Sequence, residues 1–237
     1  MRYIKLKMKK LHRFSRLEKI IGEDNLNNLK EKSVLVLGVG GVGGITLETL
    51  IRNGIENIII VDKDKVDITN KNRQIIALDS TIDKYKCDAF KDRILDINPD
   101  AKVTVINEFL DESNIDDIFK LDFDYVIDCC DTVDTKVLLI KYALKYNKKI
   151  ISSMGMAKKM DTKKVSIMKI NQTSYDPLAK IVRRKLRDEG ITDNIIVCSS
   201  TEEDIGGTKL YSYSPVTNYA GILIADYIIK DIIKEDN

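Results

Sequence analysis

A glycine-rich turn between an apolar run and a helical pattern constrains this chain more than any other feature. Val34–Leu37 is a strand-like run, Gly38, Gly40 and Gly43 spell GxGxxG, and Val42–Arg52 follows with helical spacing. The first glycine permits a tight turn, Gly40 and Gly41 let the backbone approach phosphate closely, and Gly43 lets the helix sit against the strand. The free N–H groups and positive dipole end of such a helix favour an anion. A second run, Ile58–Val61, ends in Asp62, at roughly the 20-residue spacing where a carboxylate accepts hydrogen bonds from ribose. The unit therefore predicts an adenine-nucleotide site, without choosing among NAD, FAD and ATP.

The pattern continues as alternating strands and helices. Ser80–Ile97 has helical spacing and is stopped by Pro99. Val103–Ile106 and Tyr125–Ile127 read as strands, a helix is expected from about Asp134 to Tyr146, and Ile150–Ile151 marks a fifth strand. This predicts an α/β, Rossmann-like, mainly parallel sheet with helices on both faces. Beyond Ser152 the reading is a strand at Lys164–Ile170, a basic helix opened by Asp176-Pro177 and closed by Gly190, a strand at Ile195–Val197, and a terminal helix after Pro215. These extra strands extend the same sheet. No linker divides the chain, so residues 1–237 are read as a single domain, with a nucleotide-binding core at about 30–153 and a C-terminal substrate extension at about 154–237.

The segment after the second strand selects the nucleotide. Arg73, Lys86 and Asp131 follow in order, the last closing Val126-Ile127-Asp128-Cys129-Cys130-Asp131. A dinucleotide pyrophosphate is satisfied by the loop and helix end, whereas a triphosphate attacked at its α-phosphorus develops charge that extra cations stabilise. Arg73 and Lys86 suit that task. A carboxylate at Asp131, just past a strand end, would repel phosphate unless Mg²⁺ lies between. The same lysine and arginine taken singly would read as solvated surface charge.

Composition removes other classes. The net charge of +2 argues against a polyanion binder acting through the whole surface. Four cysteines without a CxxC pair, and one histidine, His12, do not make a tetrahedral zinc site. The basic N-terminus lacks the apolar core of a secretory signal, so reduced thiols and a cytoplasmic location are expected. Tyr219–Ile233 is apolar but shorter than the ~20 residues of a membrane span and carries Asp226, Lys230 and Asp231; it reads as a buried or interface helix.

The ordered set resembles the ubiquitin-activating-enzyme superfamily of adenylyltransferases, which includes the molybdopterin- and thiamine-pathway members. The matching pieces are Arg13-Phe14-Ser15-Arg16, the glycine loop, Asp62 through Gln74, the lysine of Asp83-Lys84-Tyr85-Lys86-Cys87, and the segment ending in Asp131. The resemblance implies that Asp62 holds ribose, that Asp64 lines the nucleotide site, and that Asn70, Arg73 and Lys86 hold phosphates. It further implies that Asp131 holds Mg²⁺ and that Arg16 reaches across a homodimer as an arginine finger. Within the superfamily, Ile151–Ala157, Gln172–Ala179, Val182–Arg187 and, loosely, Cys198–Glu202 are similar to the tRNA threonylcarbamoyladenosine dehydratases. One departure is Met156-Ala157-Lys158, where a small turn bearing Gly and Asn is expected.

That resemblance implies ATP-dependent cyclisation of threonylcarbamoyladenosine in tRNA through a carboxyl-adenylate, with ATP and Mg²⁺ as cofactors, tRNA as partner, and a sulfur-transfer partner left open. The tRNA backbone calls for basic surface. Lys180, Arg183, Arg184 and Arg187 on the basic helix are the first candidates, and Lys5, Lys7, Lys9 and Lys10 the second, with Tyr175 as a base-stacking aromatic. Cys198 reads either as an acyl acceptor or as a small buried residue. Adenylation of a ubiquitin-like or sulfur-carrier protein, an NAD-binding oxidoreductase and a non-catalytic nucleotide sensor are the competing readings. The second leaves Arg73, Lys86 and Asp131 without a task.

Overall fold

The computed structural model describes residues 11–192, 195–204, 206 and 211–234. Its centre is a seven-stranded sheet in the order β3-β2-β1-β4-β5-β7-β6. The strands are β1 (Ser33–Leu37), β2 (Asn57–Val61), β3 (Lys102–Ile106), β4 (Tyr125–Asp128), β5 (Lys149–Ser153), β6 (Val165–Lys169) and β7 (Ile196–Ser200). All neighbours run parallel except β6, which pairs antiparallel with β7. The sheet, the helices on both faces and the C-terminal extension by two strands agree with the reading of the sequence.

Period-two alternation explains how both faces are covered. Val34 and Val36 of β1, with Ile58 and Ile60 of β2, join one core cluster, and Leu35, Leu37, Ile59 and Val61 join another. The first face carries α2 (Glu23–Glu31), α3 (Gly41–Arg52), α4 (Lys86–Ile97) and α8 (Ser214–Lys234). The second carries α5 (Ile115–Ile118), α6 (Val133–Lys145) and α7 (Pro177–Asp188), while the short α1 (Ser15–Ile21) precedes α2 at a Gly22 with φ 88°. Helices α3 and α8 cross in close contact. A Cβ at Gly221 would lie 2.6 Å from the Val42 carbonyl oxygen, and the Thr46 hydroxyl donates to the Gly221 carbonyl at 3.2 Å.

Two expectations shift. The helix expected from Ser80 begins at Lys86. Asp79–Thr81 form a 3₁₀ turn, and Asp83 adopts φ 67°, a left-handed conformation that an α-helix cannot continue through. The terminal helix starts at Ser214, with Pro215 inside its first turn, where a missing N–H costs nothing. No described helix is long and apolar enough to cross a membrane.

Candidate active site

The sheet reverses its winding between β1 and β4, and open α/β sheets place ligands outside the strand ends at that point. A cleft of about 830 Å³ lies there. Gly38, Gly40, Gly41, Asp62, Asp64, Asn70, Arg73, Lys86 and Asp131 all line it, so of the sequence-derived nucleotide set only Gly43 and Arg16 stay outside the lining.

Gly43 acts behind the wall. A Cβ there would sit 1.9 Å from the Gly38 carbonyl oxygen, so only glycine lets α3 close onto the turn. Gly38 has φ 81°, and its Cβ would meet the Cys129–Cys130 backbone at 2.9 Å. Gly40 has only the Gln74 amide near its Cβ position, with Nε2 at 3.6 Å, which leaves backbone open toward the cleft. The first α-helical bond of α3 runs from Gly44 N–H to the Gly40 carbonyl at 2.9 Å, so the preceding N–H groups make a cradle for an anion.

Asp62 is buried and organises two turns. It accepts from Val39 N–H at 2.9 Å and from Asp64 N–H at 2.8 Å, and each oxygen keeps a lone pair for a ribose hydroxyl. Lys86 opens α4 and is buried. Its Nζ donates to Asp64 at 2.9 Å and lies 4.0 Å from Asp62. Arg73 projects from the loop after β2, and its Nη1 donates to the Thr69 carbonyl at 3.1 Å and Asn72 Oδ1 at 2.9 Å, leaving the rest of the guanidinium for a ligand. Asn70 accepts from Asp67 N–H at 3.1 Å and closes a capping box that fixes this loop.

Asp131 follows β4 and is exposed to the cleft. Among the described residues no cluster of three or more His, Cys, Asp or Glu side chains could hold a metal ion alone. Asp131 with phosphate oxygens suits Mg²⁺, which takes one or two carboxylates and completes its shell with phosphate and water. The lining carries acidic side chains, Asp62, Asp64, Glu108, Asp131, Asp176 and Asp204, beside its basic ones. Arg16 is exposed on α1, away from the cleft of its own chain.

The structure adds residues that the sequence did not single out. Gln74 is buried in the cleft wall, with Oε1 lacking a hydrogen-bond partner. Lys136 and Asp128 are both fully buried; the Lys136 Nζ donates to Asp128 at 3.0 Å, Ser152 Oγ at 3.3 Å and the Ser153 carbonyl at 2.7 Å. Asp128 also accepts from Cys130 N–H at 3.2 Å, which sets the turn leading to Asp131. The only signal for Gln74 was its place beside Arg73. Lys136 carried none, because a lysine in a helical pattern reads as solvated.

The basic helix α7 is amphipathic, with Ala179, Val182 and Leu186 buried. Lys180, Arg184 and Arg187 are exposed. Arg183 departs from the expected RNA-contact set: it is half-buried, and its Nη1 donates to the Ile170 and Thr173 carbonyls and to Thr173 Oγ1 at 2.6 Å. Its guanidinium ties α7 to the turn that follows β6. Lys5, Lys7, Lys9 and Lys10 lie outside the described residues. Lys158, in the departing turn, adopts φ 59°, the conformation that Gly or Asn would supply there with less strain.

Cys198 is fully buried on β7, its thiol directed to the Ala220 carbonyl, and burial pushes its pKa up. Burial, then the charge of Asp128, pushes the Cys129 thiol up to about 12. A nucleophilic cysteine needs the opposite shift. Cys198→Ala is expected to keep turnover within about threefold of wild type, allowing for a small loss of packing; a loss above a hundredfold would restore the acyl-acceptor reading.

A model of the ThiF family matches residues 14–237. The chain is 41% identical to the tRNA threonylcarbamoyladenosine dehydratase of Bacillus subtilis, across 95% of this chain and 96% of that protein. It is 33% identical to the Escherichia coli enzyme of the same name, across 77% of this chain and 68% of that one. The crystal structure of E. coli tRNA N6-threonylcarbamoyladenosine dehydratase in complex with ATP superimposes with a TM-score of 0.91 at 29% identity, covering 94% of this chain and 95% of that chain. E. coli MccB with ATP, at 20% identity and a TM-score of 0.65, shares the fold.

Proposed function

The chain belongs to the ThiF family, and we propose that it uses ATP to dehydrate threonylcarbamoyladenosine beside the anticodon of tRNA, the cleft at Gly38–Gly44 being the adenylation site. The observation that carries this reading is the match to a dehydratase over nearly the whole of both chains; the cleft lined by Gly38, Gly40, Asp62, Arg73, Lys86 and Asp131 supports it. ATP lies with its phosphates over the glycine turn and the start of α3, and with its ribose at Asp62.

Arg73, Lys86 and Asn70 take the phosphoryl oxygens, and Asp131 would hold Mg²⁺, which neutralises charge on the phosphates when bound. The substrate carboxylate attacks the α-phosphorus, an acyl-adenylate forms, and pyrophosphate leaves. A nitrogen of the same side chain then attacks the activated carbonyl, closing the ring and releasing AMP. The oxygen lost as water from the nucleoside leaves on AMP. The second step is intramolecular, and a tethered nucleophile carries a high effective molarity. No protein thioester is required, which accords with the buried, protonated Cys198. Arg16, away from its own cleft, is assigned to the cleft of a second copy of the chain in a homodimer. A cytoplasmic site of action belongs to the same reading.

Pyrophosphate release should require tRNA carrying the threonylcarbamoyl mark; equal release with unmodified tRNA would refute the reading. In the same assay, the charge reversals Lys180→Glu, Arg184→Glu and Arg187→Glu should raise the KM for tRNA and lower its salt dependence by about one ion per lost phosphate contact. An unchanged salt slope would remove α7 from the tRNA surface.

A further inference from the structure

A further buried lysine, Lys159, lines the cleft. Lys159 is 2% exposed, and its Nζ donates to the Tyr175 carbonyl at 2.9 Å, to Asp204 Oδ1 at 2.7 Å and to the Glu202 carbonyl. These partners come from different segments: the loop leading into α7 and the loop after β7. Glu202 returns the contact, its carboxylate accepting the N–H groups of Met160 at 2.9 Å and Asp161 at 2.8 Å. One ammonium thus satisfies acceptors from two loops while its own loop, after β5, is clamped in turn. A buried charge paired on every side specifies an arrangement that packing alone does not.

The arrangement controls Tyr175. Its backbone has φ 53°, a left-handed conformation that a residue bearing Cβ adopts only when its surroundings impose it. The Lys159 ammonium holds its carbonyl, and the next residue, Asp176, is fixed in turn, capping α7 through Ala179 N–H at 3.0 Å and accepting from Gly155 N–H at 3.0 Å and Ser199 Oγ at 2.8 Å. Two residues ahead of Tyr175, Arg183 holds the Thr173 carbonyl at 3.1 Å. The backbone is thus pinned after Tyr175 and again two residues before it, yet Tyr175 is 58% exposed, beside cleft-lining Asp176 and Pro177. An exposed aromatic residue on a pinned backbone, one residue from the cleft lining and just ahead of a basic helix, has the form of a stacking surface for an unpaired base.

We propose that Tyr175 stacks on a nucleobase of the tRNA flanking the modified adenosine, and that Lys159 is the positioning residue whose ammonium holds Tyr175 there. The inference rests on the proposed dehydration of tRNA. It is tested on the full chain by titrating marked tRNA in the pyrophosphate-release assay and measuring ATP binding in parallel. Tyr175→Leu, an exposed change that leaves the core intact, should raise the KM for tRNA roughly five- to hundredfold, the range for one lost base–aromatic stack. ATP affinity should not change, and Tyr175→Phe should stay near wild type. Lys159→Ala should reproduce the KM defect, and n-propylammonium, which replaces the three methylenes and the ammonium removed, should restore it toward wild type.

Turnover by the wild-type chain separates the two readings. If it is active and Tyr175→Leu matches it at every tRNA concentration, the stacking role is overturned while dehydration stands. If Tyr175→Leu is defective but n-propylammonium leaves Lys159→Ala unchanged although that variant binds ATP normally, the positioning role of Lys159 is overturned. Wild-type failure on marked tRNA overturns both readings.

Discussion

Arg73→Ala should lower the rate of tRNA-dependent pyrophosphate release by about 10²–10³-fold, the usual loss when one preorganised group stabilising transition-state charge is removed. Arg73 is half-buried in the cleft wall and already anchored through Nη1 to Thr69 and Asn72, so it meets the phosphates with little reorganisation. Because both of those hydrogen bonds are exposed, folding should be unaffected, and the defect should appear in kcat with a normal melting temperature. Arg73→Lys should recover little, since a single ammonium does not reproduce the planar fork. Asp131→Ala should give a loss of similar size, and raising Mg²⁺ should not rescue it fully. A rate within threefold of wild type for either variant would remove that residue from the phosphate or metal role.

The largest stability effect is expected at Lys136→Met. This change leaves Asp128 buried with its charge unpaired, at a cost of about 3–5 kcal/mol, a large part of the ~5–15 kcal/mol that holds a typical domain together. Ser152 Oγ donates to Asp128 at 2.5 Å and cannot neutralise it. Burial alone would lower the Lys136 pKa, but the opposing charge of Asp128, reinforced by their hydrogen bond, holds it raised. With a raised pKa in the fold, the pair's contribution is complete below the unfolded value near 10.5 and is lost only as pH rises through the folded value. Chemical denaturation at pH 7 should therefore register the full effect. The double change Lys136→Met with Asp128→Leu should recover much of the stability and still impair turnover, because Asp128 sets the turn that carries Asp131. A single variant as stable as wild type would show that the pair is solvated.

These two cases mark what the sequence made legible. Arg73 was visible because a cation just beyond the second strand of a nucleotide fold has a chemical reason to be there. The sheet was visible because Val34–Leu37 and Ile58–Val61 must bury both faces. Lys136 and Lys159 were invisible as buried groups, since their acceptors come from β4, β5 and the C-terminal loops and converge only in the folded chain. Arg183 was misjudged for the same reason: on a helical wheel it sits among basic neighbours, but the Ile170 and Thr173 carbonyls draw it inward. The start of α4 was misplaced because apolar spacing does not reveal the left-handed Asp83. Propensity and period report what a segment can do alone, and these features depend on tertiary partners.

The account stands most directly on the fate of the modified nucleoside. tRNA bearing the threonylcarbamoyl mark should be incubated with the full chain, Mg²⁺ and ATP, and the digested nucleoside weighed by mass spectrometry. Loss of one water, in proportion to AMP formed and absent when ATP is replaced by NAD or by an α,β-nonhydrolysable analogue, is the predicted result. An unchanged nucleoside mass alongside ATP turnover would contradict it, and would return the cleft to adenylation of some other carboxylate.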